Sequence, residues 1–362
     1  MTADGTRRIR RDSSSSAGRR ARNDRLPVSI LLPVRDEDPA TVARAVASAL
    51  AQGYGGEVEV VLADGSDTTA TADSIRREFP EVRVIPNPER TIPSGLNRAM
   101  RAARRRVLAR CDARTVLPPG YLERAVEQLC ATGAAVVGGR QNPVGKTAFE
   151  RAVALAMTSP LGAGDARYRL GGPAGPTDTV YLGVLRRDAV EAAGGYETSL
   201  LWNSEYELYW RLRQHGEIVW FDPTLAADYR PRGAFAALAR QYFRYGRWKR
   251  AMLRRHPASL RWRQLAAPLL VLAALASLFL AAAGWVAAAT AAPSTGTSML
   301  GAAALVPALY LLLLLGGAAL VGARRRALEA ALLPLVLPTI HFSWGIGFLV
   351  GPPRGRDRPP RV

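Results

Sequence analysis

Val28-Ser-Ile-Leu-Leu-Pro-Val34, followed by Val58-Glu-Val-Val-Leu-Ala-Asp64, is the pair of segments that decides the fold. The first run is apolar on both of its alternating faces and carries Pro33 near its end. It predicts a short strand buried inside a parallel sheet. Between the two, Pro39 to Gln52 places Ala43, Val46, Ala47 and Leu50 at helical spacing, so strand, helix and strand form a βαβ unit. The alternation continues outward, with helix expected over Thr68–Arg77, strand over Val82–Pro86 and helix over Ile92–Ala103. Strand is then expected in Arg-Val-Leu-Ala-Arg110, helix over Pro119–Ala131 and strand in the run ending at Gly139. This predicts a doubly wound α/β region from about 26 to 145. In such sheets ligands collect outside the carboxyl ends of the strands, which directs attention to Pro33–Asp38, Asp64–Asp67 and Asp112–Arg114. Neither GxGxxG nor GxxxxGK[ST] follows the first strand, which removes the dinucleotide-redox signature and the ordinary P-loop.

A second portion runs from about 146 to 229. The Gly- and Pro-rich segment from Leu170 reads either as a flap beside a site or as a plain connector. Strand is expected in Thr-Val-Tyr-Leu-Gly-Val-Leu-Arg-Arg187, a short helix from Asp188 to Gly194–Gly195, and strand in Glu-Ile-Val-Trp-Phe-Asp-Pro223. Between them Asn203 is placed to cap a helix whose first turn carries Glu205 and Glu207. Each carboxylate has two readings. Asp67 either caps the following helix or faces a ligand, with Asp64 beside it. Asp112 either shapes a turn or binds. Glu205 and Glu207 are either a solvated acidic turn or the base that deprotonates an attacking hydroxyl. Convergence of all these groups at one sheet edge favours function.

Arg232 to Arg255 predicts a long amphipathic helix, with Phe235, Leu238, Tyr242, Tyr245, Trp248 and Met252 recurring three or four apart. Arg240, Arg244, Arg247, Lys249 and Arg250 fill the other faces. That pattern suits a helix lying in a membrane interface, and it also places cations near a diphosphate at the mouth of the domain. From Gln264 to Ala323 there is no charged residue, a run at least twice the ~20 residues an apolar helix needs to cross a bilayer. Three apolar segments are drawn, Leu265–Ala289, Met299–Val321 and Leu328–Val350, separated by a polar turn around Pro293 and by Arg324–Arg326. With the catalytic half in the cytoplasm, the Pro293 turn falls outside and the Arg triplet inside, as the positive-inside bias asks. The arginines after Val350 then fall outside, a conflict that a re-entrant third segment removes. His341 in that segment reads as a packed or interfacial residue rather than a substrate contact.

The formal charge of +19 raises the question of nucleic acid. Eight arginines fall in the first 25 residues, and Arg230 to Arg263 contains no Asp or Glu. Both blocks flank the predicted sheet, and the second directly precedes an apolar segment, so anionic lipid headgroups are the expected partners and nucleic acid is not. The first 25 residues have no apolar core, read as a disordered basic tail and not as a signal peptide, and imply a cytoplasmic domain. Cys111 and Cys130 form no metal or redox motif and read as buried free thiols.

These motifs, in this order, resemble a membrane-bound family 2 glycosyltransferase of the GT-A fold, within it the succinoglycan-biosynthesis type of bacterial polysaccharide pathways. The resemblance covers about Val28 to Trp248. Val-Ser-Ile-Leu-Leu-Pro-Val-Arg-Asp-Glu37 is similar to the family's opening strand and turn, and Ala-Asp-Gly-Ser66 to its nucleotide loop. Cys-Asp-Ala-Arg114 stands where the Asp-x-Asp metal motif stands, with Arg114 at the second Asp position. Trp-Asn-Ser-Glu-Tyr-Glu-Leu208 resembles the segment holding the catalytic base, and Gln-Tyr-Phe-Arg-Tyr-Gly-Arg-Trp248 the family's Gln-x-x-Arg-Trp region.

The resemblance implies a GT-A-like doubly wound mixed sheet over 26–229, with a nucleotide-sugar half at 26–145 and an acceptor half at 146–229. A basic amphipathic region at 230–263, a membrane part at 264–350 and a tail at 351–362 follow. It implies donor binding by Pro33, Arg35, Glu37, Asp64, Ser66, Asp112, Arg244, Arg247 and Trp248, and Mg²⁺ or Mn²⁺ on Asp112 with the donor diphosphate. Glu205 occupies the base position, and Glu207 is the alternative. The implied reaction inverts the sugar carbon. The donor is a nucleoside-diphosphate sugar, uridine diphosphate by default, and the acceptor a polyprenyl-linked or other lipid or a glycan. A multi-pass membrane protein with its catalytic domain in the cytoplasm is expected. Two rivals stand beside this: a non-catalytic scaffold of a polysaccharide assembly system, made relevant by Arg114, and a nucleotidyltransferase on the same sheet, for which Arg35 is the one supporting cation.

Overall fold

The structure, a computed structural model, describes residues 25–290 and 293–352. The basic tail read in the first residues lies outside them, apart from Arg25, as does the last stretch of the C-terminal tail. The sheet begins with β1 (Val28–Val34), α1 (Pro39–Leu50), β2 (Val58–Asp64), α2 (Ala70–Glu78) and β3 (Arg83–Pro86). It continues through α3 (Ile92–Ala102), β4 (Val107–Arg110), α4 (Tyr121–Thr132) and β5 (Val136–Pro143). Then come α5 (Ala148–Met157), the short α6 (Pro160–Ala163) and α7 (Arg167–Leu170), β6 (Gly175–Pro176), β7 (Tyr181–Arg186), α8 (Arg187–Ala192), α9 (Ser204–Gln214) and β8 (Val219–Tyr229).

The strands lie in the order β3-β2-β1-β4-β7-β5-β8-β6. β1, β2, β3 and β4 are parallel, while β7 runs antiparallel between β4 and β5 and so interrupts the parallel series that the sequence pattern alone predicts. Because β7 is antiparallel to both neighbours, β5 again points the same way as β1. The carboxyl ends of β1, β2, β4 and β5 therefore share one edge.

β1 is buried along its whole length. Ile30, Leu32 and Val34 pack to one face with Val42, Val46 and Leu122, and Leu31 packs to the other with Leu96 and Leu208. Every position but Ser29 is apolar, as a strand covered on both faces requires, and the buried Ser29 hydroxyl donates to Glu59 Oε1 at 2.5 Å. Local chemistry sets the helix starts. Asp38 caps α1 by accepting from Thr41 N at 3.0 Å, with Pro39 in the first turn. Reciprocal capping boxes open α3 (Thr91 with Ser94) and α5 (Thr147 with Glu150). The buried face of α1 is Val42, Ala43, Ala45, Val46 and Ala49; of the expected stripe Ala43 and Val46 are buried, Leu50 packs partly buried against the core and Ala47 is exposed. Cys111 is buried and free, whereas Cys130, expected inside, is exposed.

Beyond the sheet, α10 (Phe235–Arg255) leads to α11 (Ala266–Thr290), α12 (Pro293–Arg325), a 3₁₀ turn (Leu328–Leu332) and α13 (Leu333–Val350). Among the described residues three segments are long and apolar enough to cross a membrane: Trp262–Thr290, Pro293–Arg325 and Leu328–Val350. Helix α12 already begins at Pro293, so Ser294–Ser298, expected in a turn, are helical.

Helix α10 packs along α13. Leu238 and Tyr242 pack with Val336, Leu337 and Ile340 of α13. Further along, a Cβ on Gly246 would collide with the Trp344 carbonyl and one on Gly347 with the Phe243 carbonyl, so both glycines are needed for this close crossing. Arg247 Nε donates to Gly351 O at 2.8 Å, and Arg250 Nη1 to Leu349 O at 2.6 Å and Phe348 O at 3.1 Å. These arginines occupy the free carbonyls at the end of α13, where cations are favoured. The other end of that segment is also tied to the sheet domain, by Arg151 Nε to Glu329 Oε1 at 2.6 Å, and its middle by His341 Nε2 to Leu161 O at 2.8 Å. His341 thus packs against the domain and Tyr310, as read from the sequence. Lys249, expected on a polar face, is buried against the Tyr206 ring and hydrogen-bonds Ser259 O at 3.3 Å.

Candidate active site

The loops after β1, β2 and β4 are sewn together at the shared carboxyl edge. In the β2 loop Asp64 Oδ1 accepts from Ser66 N at 2.9 Å, a tight turn that fixes the carboxylate. Gly65 is required there because a Cβ would press on Asn87 Nδ2 and Arg90 Cα at 2.9 and 3.0 Å. The β1 loop meets this turn through Asp36, whose N–H donates to Ser66 Oγ at 3.0 Å and whose Oδ1 accepts from Asp67 N at 2.9 Å. Asp36 adopts a left-handed φ of 49° to do so. The Asp67 carboxylate pairs with Arg90, which also donates Nε to Gly65 O at 3.2 Å. Asp67 therefore does not cap α2: that helix starts three residues later, at Ala70, with Thr69 at the cap position.

The β1 loop also reaches the β4 loop. Arg114 Nε lies 2.9 and 2.8 Å from the two oxygens of Glu37, so the residue at the second metal-motif position neutralises the opposite wall. Asp112 is then held from behind by Arg110, whose Nε donates to Asp112 Oδ1 at 2.8 Å. The same guanidinium pairs through Nη1 with Glu205 Oε2 at 2.8 Å. Arg110 thus bridges Asp112 and Glu205, while at the same edge Asp64 and Ser66 are joined to Asp36, and the neighbouring Glu37 to Arg114. Arg110 was legible as a lone cation at the carboxyl end of a buried strand, two residues before Asp112, where an extended chain returns to the same face.

Glu205 sits in the first turn of α9 behind Asn203, which takes the cap position in a left-handed conformation (φ 65°) and makes no side-chain cap hydrogen bond. Burial lifts the Glu205 carboxyl to about 7; Arg110 pulls it down and Asp112 pushes it up. The buried hydroxyls of Tyr196 and Tyr209 have no hydrogen-bond partner in the structure, and their phenols are pushed up by burial, with Glu205 adding to the shift. A partly buried acid tuned to neutral pH beside unpartnered donors is the arrangement a proton acceptor needs.

The remaining sequence candidates are placed as follows. Glu207 is 2% exposed, with Arg211 at 2.7 Å from both oxygens and His256 Nε2 at 2.9 Å, so its carboxylate is committed to an interior ion pair. Pro33 is buried in β1, and a Cβ added at Gly95 would lie 3.1 Å from its own Cβ. Arg35 is half exposed and reaches only Asp36, at 3.4 Å. Trp248 packs on Trp202 with ring centroids 5.9 Å apart, and Arg244 stacks over the same Trp202 at 5.4 Å, which brings both next to the start of α9. Arg247 turns the other way, to the end of α13.

Among the described residues no cluster of three His, Cys, Asp or Glu side chains is arranged to hold a metal. Asp112, the residue at the metal-motif position, offers one carboxylate, whose Oδ1 accepts from Arg110. Mg²⁺-type sites commonly use one or two carboxylates and take their other ligands from substrate phosphates and water, so a single carboxylate facing a bound diphosphate is a sufficient protein share.

Residues 29–194 match the family described as Glycosyl transferase family 2. The succinoglycan biosynthesis protein ExoA of Rhizobium meliloti (strain 1021) is 35% identical over 233 residues, 63% of this chain and 70% of that protein. Among solved structures, the mannosyltransferase PcManGT from Pyrobaculum calidifontis, in complex with GDP-Man and Mn²⁺, superposes with a TM-score of 0.57 at 18% identity, covering 91% of this chain and 88% of that one. The latter shows the likeness of fold, a GT-A-type sheet followed by long apolar helices. The chain belongs to the family 2 glycosyltransferases, enzymes that act on nucleotide-sugar donors.

Proposed function

We propose that this enzyme transfers a single sugar from a nucleoside-diphosphate donor, uridine diphosphate by default, to a lipid-linked acceptor at the cytoplasmic membrane face, with inversion at the sugar carbon. The observation that carries the reading is the Asp112–Arg110–Glu205 bridge at the carboxyl edge, beside the Asp64 turn. The Asp64 and Ser66 turn offers the nucleoside a fixed carboxylate. Glu205 receives the acceptor hydroxyl proton at Oε1, the oxygen that Arg110 leaves free; an acid at about 7 is ionised often enough at neutral pH to do so. Arg110 fixes the Glu205 rotamer and keeps its charged form accessible. Asp112, with the donor's own diphosphate oxygens, would hold Mg²⁺ or Mn²⁺, which supplies positive charge to the departing diphosphate. Arg244 stands close enough to the start of α9 to add to that charge.

The membrane arrangement supports a lipid acceptor. Both ends of the Leu328–Val350 segment are tied to the sheet domain and to α10, by Arg151–Glu329 and by Arg247 and Arg250. We read this segment as lying against the domain, with α11 and α12 as the crossing pair. That puts Arg324–Arg326 and Gly351 on one side and removes the charge conflict of a third crossing. A cysteine in place of the exposed Val350, in a Cys130→Ser background, should react with an impermeant maleimide in inside-out vesicles and not in right-side-out ones. Labelling only from the outer face would restore the third crossing.

Incubation of membranes holding the protein with a panel of sugar nucleotides, followed by mass analysis of the lipid fraction, tests the activity. The expected product carries one added sugar and disappears with Glu205→Gln. A wild-type protein that consumes no sugar nucleotide would leave the scaffold reading instead.

A further inference from the structure

A second polar cavity, of about 240 Å³, lies where β5 leaves the sheet. Its walls come from the end of β5, from α5, from α7 and from the last turn of α12, so it sits at the junction of the catalytic domain with the apolar helices. Arg140, Arg169 and Arg325 all line it. None of the three is in an ion pair among the described residues, and no Asp or Glu lines the cavity. The nearest acid in contact with the wall is Asp228, whose Oδ1 accepts from Asn142 at 2.7 Å.

Two guanidinium atoms are also short of acceptors. Arg140 Nε and Arg169 Nη1 are buried with no hydrogen-bond partner among the described residues. Arg169 is otherwise fixed, donating Nε to Tyr168 Oη at 2.9 Å and stacking over that ring at 5.2 Å. A buried N–H without an acceptor costs free energy, and a charged one costs more. Three arginines converging without carboxylates form a site that is incomplete until an anion enters, and the planar guanidinium fork matches phosphate oxygens. The wall has one buried acceptor without a partner as well, Gln141 Oε1, which a hydroxyl on the ligand would satisfy.

The position narrows the ligand. β5 is parallel to β1, so Arg140 emerges at the same carboxyl edge as Asp64 and Asp112. Arg325 ends α12, and the next residue, Arg326, with Gly322 and Ala323 of the same turn, borders an apolar groove of about 520 Å³. A head of negative charge in the polar cavity and a hydrocarbon chain along the groove describe one amphiphile. We infer that Arg140, Arg169 and Arg325 bind the phosphate or diphosphate of a lipid substrate and hold its head group toward the reaction centre. The inference rests on the transferase reading and names the anion that its acceptor must carry.

The test is equilibrium binding of farnesyl diphosphate to the purified full chain in detergent, with farnesol and inorganic diphosphate as parallel probes. Farnesyl diphosphate should bind at least tenfold more tightly than either. Arg140→Gln and Arg325→Gln, each checked for folding by thermal unfolding, should weaken it at least tenfold and leave farnesol uptake unchanged. Arg325 is exposed at a helix end, so its variant folds even if the buried positions do not tolerate change. Unchanged farnesyl diphosphate binding in both variants overturns the site. Inorganic diphosphate binding as tightly, and lost in the same variants, overturns the lipid source in favour of a soluble anion. Sugar-nucleotide turnover by the wild type is read separately: its absence would refute the transferase reading while the binding result stood on its own.

Discussion

Replacing Arg110 by Gln should move the acid limb of the pH–rate profile upward. Glu205 is poised at about 7 because burial, which raises it, is opposed by Arg110, whose Nη1 lies 2.8 Å from Oε2. Opposite charges with centres about 4 Å apart attract by about 4 kcal/mol at the effective dielectric that suits protein sites. At 1.36 kcal/mol per pH unit that is a ceiling of about 3 units, and water entering the space left by the shorter side chain reduces it to about 1–2. The sign follows from the charge: losing the cation disfavours the carboxylate, so ionisation needs higher pH. With Glu205 raised to about 7 in the wild type, activity at neutral pH should fall about 5- to 50-fold and recover toward pH 9. The assay is kcat/KM for sugar transfer in detergent between pH 5.5 and 9.5. Arg110→Lys, which keeps the charge, serves as the comparison. Arg110→Gln also leaves two half-buried carboxylates without their shared partner, so rates are normalised to folded protein. An acid limb in Arg110→Gln that superimposes on the wild type would refute the assignment of Glu205 as the proton acceptor beside Arg110.

Glu207→Gln should lower the thermal unfolding midpoint, by the equivalent of about 3 kcal/mol, since it strips a buried pair of its anion; the pH profile of transfer should keep its shape, and a displaced acid limb would make Glu207 the base after all. Arg114→Asp restores a second carboxylate beside Asp112 and frees Glu37 from its bidentate partner, so the Mn²⁺ concentration for half-maximal rate should drop about tenfold; a titration in which it rises or stays fixed excludes Asp112 as the metal's anchor. Lys249 is pushed down to about 7, first by burial and then by Arg263. Its folded pKa lies below its unfolded one, so stability is highest above about 10.5 and falls as pH drops toward 7. Lys249→Met should therefore exceed the wild type by about 1–3 kcal/mol at pH 7 and match it above pH 10.5, read as unfolding midpoints at the two values.

What periodicity could show was burial, and there the sequence was legible. An apolar residue at every position of Val28–Val34 but Ser29 means a strand covered on both faces, and three carboxyl-end loops mean one ligand edge. What periodicity could not show was which distant charge meets which. Asp67 has the residue type and place of a helix cap, yet Arg90, 23 positions away, takes its carboxylate and the cap passes to Thr69. Glu205 and Glu207 are equivalent by composition and differ only in partner: Arg110 comes from another strand, Arg211 from the next turn of the same helix. The antiparallel β7 was equally hidden, because an apolar run carries no direction. The surplus of cations is the clearest case. With Lys and Arg outnumbering Asp and Glu by 49 to 30, many arginines must find partners other than carboxylates. The structure gives Arg247 and Arg250 the open carbonyls of a helix end and Arg244 the face of Trp202. Arg140, Arg169 and Arg325 remain together in a cavity with no anion of their own. A guanidinium already satisfied by carbonyl or ring has little left to offer a substrate. The discriminating question for a basic membrane-associated transferase is therefore which arginines are still unpaid, and here those three are gathered at the one place where the catalytic edge meets the apolar helices.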